Sequence, residues 1–192
     1  MEARLAEQFG VSQATVNAAL QTLHDQGIAT KILNRSTNIA RYTGVEIENL
    51  FTVRLILEPE AARYASQNLQ AEGRAALLRH VDAMRRSTDD LSQFCLADYS
   101  FHQEIFRITN NPVMIQACQA IAAAPFAYIL CDRLSALPTN YAQLAEDHYE
   151  VILSLDKGPA AAARFTRERI EAWRQHSLRA LDDLAVERRH YA

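Results

Sequence analysis

Residues 96–112 (LADYSFHQEIFRITNNP) place a carboxylate and an imidazole where they could act together. Asp98 and His102 are four residues apart, and apolar residues such as Phe101 and Ile105 recur at helical spacing, so both polar side chains project from one helix face. An oxygen and an imidazole nitrogen suit Zn²⁺, Mn²⁺, Ni²⁺ or Fe²⁺. Two ligands do not complete a coordination shell. From spacing alone, a solvated aspartate beside a partly buried histidine is the simpler explanation.

The composition is that of a globular chain. It has 192 residues, 49% of them hydrophobic, with only five Gly and five Pro, which allows one good-sized domain or a domain with a small appendage. No apolar run approaches the roughly 18 residues of a membrane span, and the N-terminus lacks the basic and apolar regions of a secretion signal. We therefore expect a cytoplasmic protein without a membrane partner.

The three cysteines, Cys95, Cys118 and Cys131, lie in apolar helical contexts and show no CxxC spacing. This pattern favours core thiols in a reducing compartment.

The net charge of −3 is uninformative as a whole, but the charges are distributed unevenly. The residues before Val45 include four basic and three acidic ones, whereas the remainder has 16 basic and 20 acidic ones. Any contact with a polyanion is therefore expected in the first part of the chain, and it should be weak.

The first part has the pattern of two helices and a hairpin. Residues 3–9 are predicted to form a helix that stops at Gly10, and Ser12 is the predicted N-cap of a second helix that ends at Gly27. Two alternating runs, IATKI and TNIARY, then flank LNRS, which predicts a hairpin with Asn34 at its tip. A helix-turn-helix followed by a hairpin is the order found in a winged helix.

The remainder is helical, without a convincing strand. We predict helices near residues 46–69, 71–87, 90–109, 112–134, 139–156 and 159–187, with breaks at Glu72-Gly73, Asn110-Asn111-Pro112, Leu137-Pro138 and Lys157-Gly158-Pro159. The predicted fold class is mainly α. A partial winged helix-turn-helix over residues 1–45 would precede an antiparallel all-helical bundle over residues 46–192, and such a bundle can enclose a pocket.

Two segments resemble one family of bacterial regulators. The segment RLAEQFGVSQATVNAALQTLHDQGIA resembles the winged helix of GntR-family transcription regulators through LAEQFGVS, the AL pair and the QG helix end. The segment IENLFTVRLILEPEAARYAS resembles the first helix of the FCD ligand-binding domain that follows the winged helix in many of these regulators. Six helices resemble the VanR-like branch of FCD proteins. The two resemblances follow the family's order and cover nearly the whole chain.

The resemblance implies DNA contacts through Ser12, Gln13, Thr15 and Asn17 in the second helix and Arg35 in the hairpin. The family usually carries Ser-Arg-x-Pro-Val-Arg here, whereas Gln13 and Asn17 occupy the arginine positions and Thr15 replaces proline. Amide side chains can bond adenine edges but cannot neutralise phosphates, so we expect weaker electrostatic affinity or a changed preferred sequence. The family's first helix and strand are also missing upstream, so the predicted winged helix is partial.

The resemblance also implies a divalent metal ion, Zn, Ni, Mn or Fe. Metal-binding FCD domains carry Asp-x-x-Phe-His on one helix, matched here by Asp98 and His102, and a histidine on a later helix, matched by His148 in EDHYEVILSL. The position of the family's last histidine falls on Ile170. His176 lies six residues later, about 240° around a helix, so it should not share that face.

Arg54 matches the arginine that points into the pocket of the family. Its planar guanidinium, beside a metal ion, would bind a small organic acid bidentately. The alternative is an ordinary surface pair with Glu58 one turn later. Trp173 shares the face of Ile170, where core packing is the simpler role.

These expectations lead to a DNA-binding regulator controlled by a small carboxylate effector and acting as a homodimer, because such proteins bind paired half-sites. One alternative is a metal-dependent enzyme with a two-histidine, one-carboxylate site. Another is an effector-binding remnant that no longer binds DNA. The sequence contains no HExxH, nucleophile elbow or Gly-rich phosphate loop, so we do not expect an enzyme.

Overall fold

The computed structural model describes residues 2–32, 36–40, 42–128 and 140–190. Its first part contains α1 (Glu2–Phe9), α2 (Gln13–Asp25), β1 (Ala29–Ile32) and β2 (Ser36–Ile39). Gly10 and Gly27 follow the two helices with φ of 64° and 73°, the left-handed conformation that glycine adopts without strain. Ser12 caps α2, since its Oγ accepts a hydrogen bond from the Thr15 amide at 3.1 Å. This confirms the predicted N-cap.

The two strands form an antiparallel hairpin in which Ala29 pairs with Ile39 and Ile32 with Ser36. The predicted hairpin tip at Asn34 lies outside the described residues. Small buried side chains hold this part together: Ala6, Val16, Ala29 and Ala40. The order of elements is the one that the sequence predicts.

Six further helices follow in the described residues: α3 (Gly44–Asn68), α4 (Ala71–Arg86), α5 (Leu91–Ile108), α6 (Pro112–Tyr128), α7 (Tyr141–Asp156) and α8 (Pro159–His190). They lie close to the predicted segments, and the mainly α fold is confirmed. The predicted break at Leu137-Pro138 lies outside the described residues. None of the described helices combines the length and apolar character needed to cross a bilayer.

The helix α3 is central to the bundle because it contacts α5, α6, α7 and α8, while α4 packs on α5 and α7. The largest fully buried side chains include Phe94, Phe101 and Phe106, all from α5. Cys95 and Cys118 are buried thiols, as predicted, whereas Cys131 lies outside the described residues. The α5 helix therefore runs through the core, which fixes the position of its polar residues.

One predicted break is wrong. The chain leaves the helical conformation at Leu69–Gln70 rather than at Glu72-Gly73, and Gly73 lies in the first turn of α4. A Cβ added at Gly73 would lie 3.1 Å from Cδ1 of Ile108 on α5. The glycine therefore permits close packing of two helices and does not end one.

Candidate metal and carboxylate site

Two helices bring the three predicted metal ligands together. Asp98 and His102 lie one turn apart on α5, His148 lies on α7, and one potential ligand atom from each lies within 4.8 Å of the other two. Oδ1 of Asp98 is 2.6 Å from Nε2 of His148 and 3.6 Å from Nε2 of His102. A tetrahedral ion with bonds of about 2.1 Å separates its ligands by about 3.4 Å. The three donors are therefore close enough together to share one ion, and the contact between Asp98 and His148 would have to lengthen to admit it.

The tautomer of His148 also suits a cation. Its Nδ1 lies 2.7 Å from the carbonyl oxygen of Leu144, and since a carbonyl can only accept, Nδ1 is the protonated nitrogen. Oδ1 of Asp98 is buried and lies 2.6 Å from Nε2 of His148. Asp98 raises the pKa of His148 and so favours a proton on Nε2 when no ion is bound. A bound cation would displace that proton, and the Nε2 lone pair would then face the ion.

Burial and neighbouring charges set the ionisation of the cluster. Burial alone would raise the pKa of Asp98, but His148, His102 and Arg54 together hold it below its usual value. Burial lowers the pKa of His102, and the nearby carboxylates of Asp98 and Glu58 offset this only in part. Burial also acts to lower the pKa of His148, but Asp98 and the Leu144 carbonyl outweigh it and raise the pKa. The cluster thus keeps an ionised carboxylate beside two imidazoles.

Arg54 and Glu58 form an ion pair on α3 beside the cluster. Nε and Nη2 of Arg54 donate to the two carboxylate oxygens at 2.5 and 3.3 Å. The sequence predicted this pairing as the alternative to a pocket position, but as a surface pair, which is wrong. The side chains are only 11% and 5% exposed, and both line the cavity described next. Because Glu58 uses Nε and Nη2, the donors of Nη1 remain for a ligand.

A cavity of about 100 Å³ opens beside the cluster, between α3, α5, α7 and α8. Its walls are mainly apolar, with a few converging polar groups, as is usual for ligand pockets. The charged or titratable side chains on its wall are Arg54, Glu58, Asp98, His102, Asp147, His148 and Arg169, with Cys95 as a thiol. The structure therefore places all four predicted metal and effector residues on one cavity.

The last helix contributes Ile170 and Trp173 to the cavity wall. Ile170 is 4% exposed and stands where the sequence comparison expected a fourth ligand. His176 is exposed, its ring lies 5.4 Å from that of Trp173, and it does not belong to the donor cluster in the described residues. Trp173 lines the cavity and also packs against the core.

The family model described as "FCD domain" matches residues 49–176, which hold Arg54, Asp98, His102 and His148. The chain belongs to the FCD domain family. Two curated relatives are bacterial repressors of Klebsiella aerogenes. The HTH-type transcriptional repressor NanR is 27% identical over 109 residues, covering 57% of this chain and 38% of NanR. The histidine utilization repressor is 29% identical over 148 residues, covering 74% of this chain and 57% of the repressor. The chain thus spans about two fifths to three fifths of their length.

Solved structures show the same fold as this FCD protein. E. coli McbR/YncC superposes with a TM-score of 0.70 at 17% identity, covering 100% of this chain and 87% of McbR. A GntR regulator from Rhodococcus sp. RHA1 gives a TM-score of 0.72 at 18% identity, covering 92% of this chain and 84% of that protein. At these identities the likeness concerns the fold alone.

Sequence reasoning missed three polar residues of the FCD cavity. Asp147 and Arg169 form an ion pair between α7 and α8, and the buried Oγ1 of Thr166 has no hydrogen-bond partner among the described residues. Asp147 adjoins His148 and Arg169 adjoins Ile170, so proximity to predicted pocket positions was the one available indication. Their pairing across two helices follows from the packing of α7 on α8.

The predicted DNA-contacting residues lie at the start of α2. Ser12, Gln13, Thr15 and Asn17 are exposed, and Oγ of Ser12 lies 2.9 Å from Oγ1 of Thr15. The amide of Asn17, oriented to donate, reaches the carboxylate of Glu2 at 3.0 Å. Arg35 lies outside the described residues. A DNA contact by Asn17 would therefore require it to leave Glu2.

Proposed function

We propose that this chain is a ligand-responsive transcription regulator of the GntR type. Its FCD domain would bind a small carboxylate beside a divalent metal ion, and α1, α2 and the hairpin would contact DNA. The observation that carries this proposal is the convergence of donor atoms from Asp98, His102 and His148 within 4.8 Å, on the cavity that Arg54 lines. The repressor function of the curated relatives supports the DNA-binding half.

Asp98, His102 and His148 would hold the ion, with Zn, Ni, Mn and Fe as the candidates that such ligands suit. A bound ion would supply a Lewis-acidic position for a carboxylate oxygen. The Leu144 carbonyl fixes the ring of His148 through Nδ1 and so directs Nε2 inward. Glu58, one turn further along α3, holds Arg54 in place through two hydrogen bonds.

The charges of the cavity favour a ligand with one carboxylate. Its wall carries three carboxylates, Glu58, Asp98 and Asp147, and two guanidiniums, Arg54 and Arg169, so one negative charge is in excess with neutral histidines. A divalent ion would turn this into one positive charge in excess. A monoanion then neutralises the cavity, and burying a balanced set of charges costs much less than burying an unbalanced one.

Metal analysis of the purified protein tests the proposal. Protein dialysed against Zn²⁺ or Ni²⁺ should retain close to one equivalent by inductively coupled plasma mass spectrometry, and His102→Ala should retain little. His80→Ala and His176→Ala are matched controls, since neither residue lines the cavity, and they should retain the ion. Stoichiometric retention by His102→Ala would refute the assignment.

DNA binding and assembly need separate measurements. We propose a homodimer that binds paired half-sites. Sedimentation should then show two copies, and a gel shift with DNA from upstream of the gene should respond to a bound carboxylate. Gln13 and Asn17 occupy positions where the family usually carries arginine. The slope of log DNA affinity against log salt concentration should therefore be less steep, by roughly 2, than the slope of a Gln13→Arg/Asn17→Arg variant. Metal and carboxylate binding without any DNA shift would instead support an effector-binding remnant.

The enzyme alternative rests on the same three ligands, because two histidines and one carboxylate also occur in non-haem iron oxygenases. An Fe²⁺-loaded sample mixed with a carboxylate in an oxygen electrode distinguishes the two functions. A regulator should consume no oxygen above the rate of free Fe²⁺. Sustained, His102-dependent consumption would favour the enzyme.

A further inference from the structure

A surface groove adjoins the cavity between α7 and α8. This outer groove, as we call it, has a volume of about 290 Å³ and is lined by Asn140, Gln143, Asp147, Arg169, Trp173 and His176. Asp147, Arg169 and Trp173 also line the inner cavity. The outer groove and the inner cavity therefore share a wall, and the ion pair of Asp147 with Arg169 is part of it.

The shared ion pair is more open than the pair of Arg54 with Glu58. The side chains of Arg169 and Asp147 are 35% and 20% exposed, and Nη2 of Arg169 donates to Oδ2 of Asp147. Nε2 of Gln143 donates to the other oxygen of Asp147 at 3.2 Å. The pair is partly buried, so exchanging one partner for a ligand oxygen should cost less than it would in the buried pair of Arg54 with Glu58.

Two further features favour a ligand that passes this wall. Thr166, one turn before Arg169 on α8, carries a buried hydroxyl on the cavity side with no partner among the described residues. On the groove side, the amides of Asn140 and Gln143 both donate and accept hydrogen bonds. The charges of Asp147 and Arg169 cancel, so the groove suits uncharged hydrogen-bonding groups.

We propose that the ligand is a monocarboxylic acid with an uncharged tail rich in hydroxyl or amide groups, and that this tail extends between Asp147 and Arg169 into the outer groove. Arg169 exchanges its bond to Asp147 for an oxygen of the tail, and Gln143 bonds the tail further out. Only the position of the carboxylate end in this inference rests on the proposed function. Arg169 and Gln143 then determine specificity for the tail.

Three probe acids with one head group test the inference on the Zn²⁺-loaded full chain by isothermal titration calorimetry. Glycolate reports the head group. Xylonate and 2-hydroxypentanoate have the same carbon chain, with and without tail hydroxyls. Xylonate should bind roughly three- to tenfold more tightly than 2-hydroxypentanoate, the effect of one or two hydrogen bonds. Arg169→Met and Gln143→Leu should each abolish that ratio, and Gln143→Leu, which changes no charge of the cavity, should leave the affinity for glycolate unchanged.

Arg85→Met is the matched control, because Arg85 also pairs with a carboxylate of α7, Glu146, but lines neither the cavity nor the groove. It should keep the preference for xylonate. Equal binding of xylonate and 2-hydroxypentanoate, or a preference that survives in both groove variants, would overturn the inference and leave the proposed function intact. If none of the three acids binds the Zn²⁺-loaded protein, the proposed function fails together with the inference.

Discussion

The hydroxyl of Tyr42 donates a hydrogen bond to the carbonyl oxygen of Gly27 at 2.6 Å. Gly27 follows α2, and Tyr42 lies two residues before α3, so the bond joins the end of the predicted DNA-contacting helix to the start of the helical bundle. Partial burial raises the pKa of Tyr42, and the nearby charge of Glu46 adds to this. The hydroxyl therefore remains a donor throughout the neutral range.

The ring of Tyr42 packs against a small cluster of buried residues, Ile47, Phe51 and Ile170, here called the junction cluster. Ile170 is also part of the wall of the ligand cavity. Packed side chains thus run without a gap from the cavity to the hydrogen bond at Gly27. A change in the position of α8 on ligand binding would reach α2 through these contacts.

Tyr42→Phe removes the hydroxyl but keeps the ring in the junction cluster. If the bond to Gly27 couples the two parts, the ratio of DNA affinities with and without a bound carboxylate should shrink by roughly 2- to 30-fold, the range for a coupling of 0.5–2 kcal/mol. Fluorescence anisotropy with labelled upstream DNA measures this ratio. Tyr149→Phe on α7 is the control and should keep it. An unchanged ratio in Tyr42→Phe would exclude this bond from the coupling.

Ile170→His places an imidazole on the cavity wall where the family resemblance expects the fourth ligand. The affinity for Zn²⁺ should rise at least tenfold, because a missing protein ligand is restored. The metal-free variant should be less stable than the wild type by about 1–3 kcal/mol, since a polar ring replaces a buried side chain of the junction cluster. Competition with a chelator and thermal melting measure the two effects. An unchanged affinity would show that residue 170 does not face the ion.

Thr43 and Glu46 form a capping box at the start of α3. The Glu46 carboxylate accepts from the Thr43 amide at 2.7 Å, and this bond, with a second from the Thr43 hydroxyl, holds the pKa of Glu46 below its usual value. A lowered pKa in the folded state means that the stabilisation is complete above the unfolded pKa and is lost as pH falls through the folded pKa.

Glu46→Ala should therefore lower the melting temperature at pH 7, and its difference from the wild type should disappear in strong acid. Thr43→Ala removes the hydroxyl that accepts from the Glu46 amide, which costs about 1 kcal/mol, and with it the bond that this hydroxyl donates to the Glu46 carboxylate. Only the second loss depends on the charge of Glu46, so part of the Thr43→Ala penalty should persist at low pH. A penalty for Glu46→Ala that does not change with pH would show that the charge of the carboxylate has no part in the cap.

The sequence predicted those features that local spacing determines. Ser12 as a cap and Pro112 as a helix start follow from short-range chemistry, and Asp98 and His102 share a face because four residues make one turn. His148 required a family resemblance, because no spacing rule connects it to α5. The burial of Arg54 and Glu58 and the pairing of Asp147 with Arg169 depend on how α3, α7 and α8 pack. A helical pattern shows which residues share a face, but it does not show what covers that face.

Arg54 is predicted to bind the carboxylate of the ligand. Its ion pair with Glu58 complicates a test by substitution of Arg54. Arg54→Met leaves the Glu58 carboxylate buried without its partner, and breaking such a pair costs roughly 3–5 kcal/mol. Loss of ligand binding in this variant could therefore reflect damage to the fold. Adding Glu58→Gln removes the unpaired charge and should recover most of the melting temperature.

The double variant Arg54→Met/Glu58→Gln should keep its Zn²⁺, because Asp98, His102 and His148 are unchanged. It should nevertheless lose the thermal stabilisation by glycolate. For the wild type, glycolate at 100 times its Kd should stabilise the folded state by about 2.7 kcal/mol. Differential scanning fluorimetry of the Zn²⁺-loaded wild type, single variant and double variant, each with and without glycolate, measures both effects. If the double variant is stabilised as much as the wild type, the ion alone binds the carboxylate, and Arg54 serves only to neutralise Glu58.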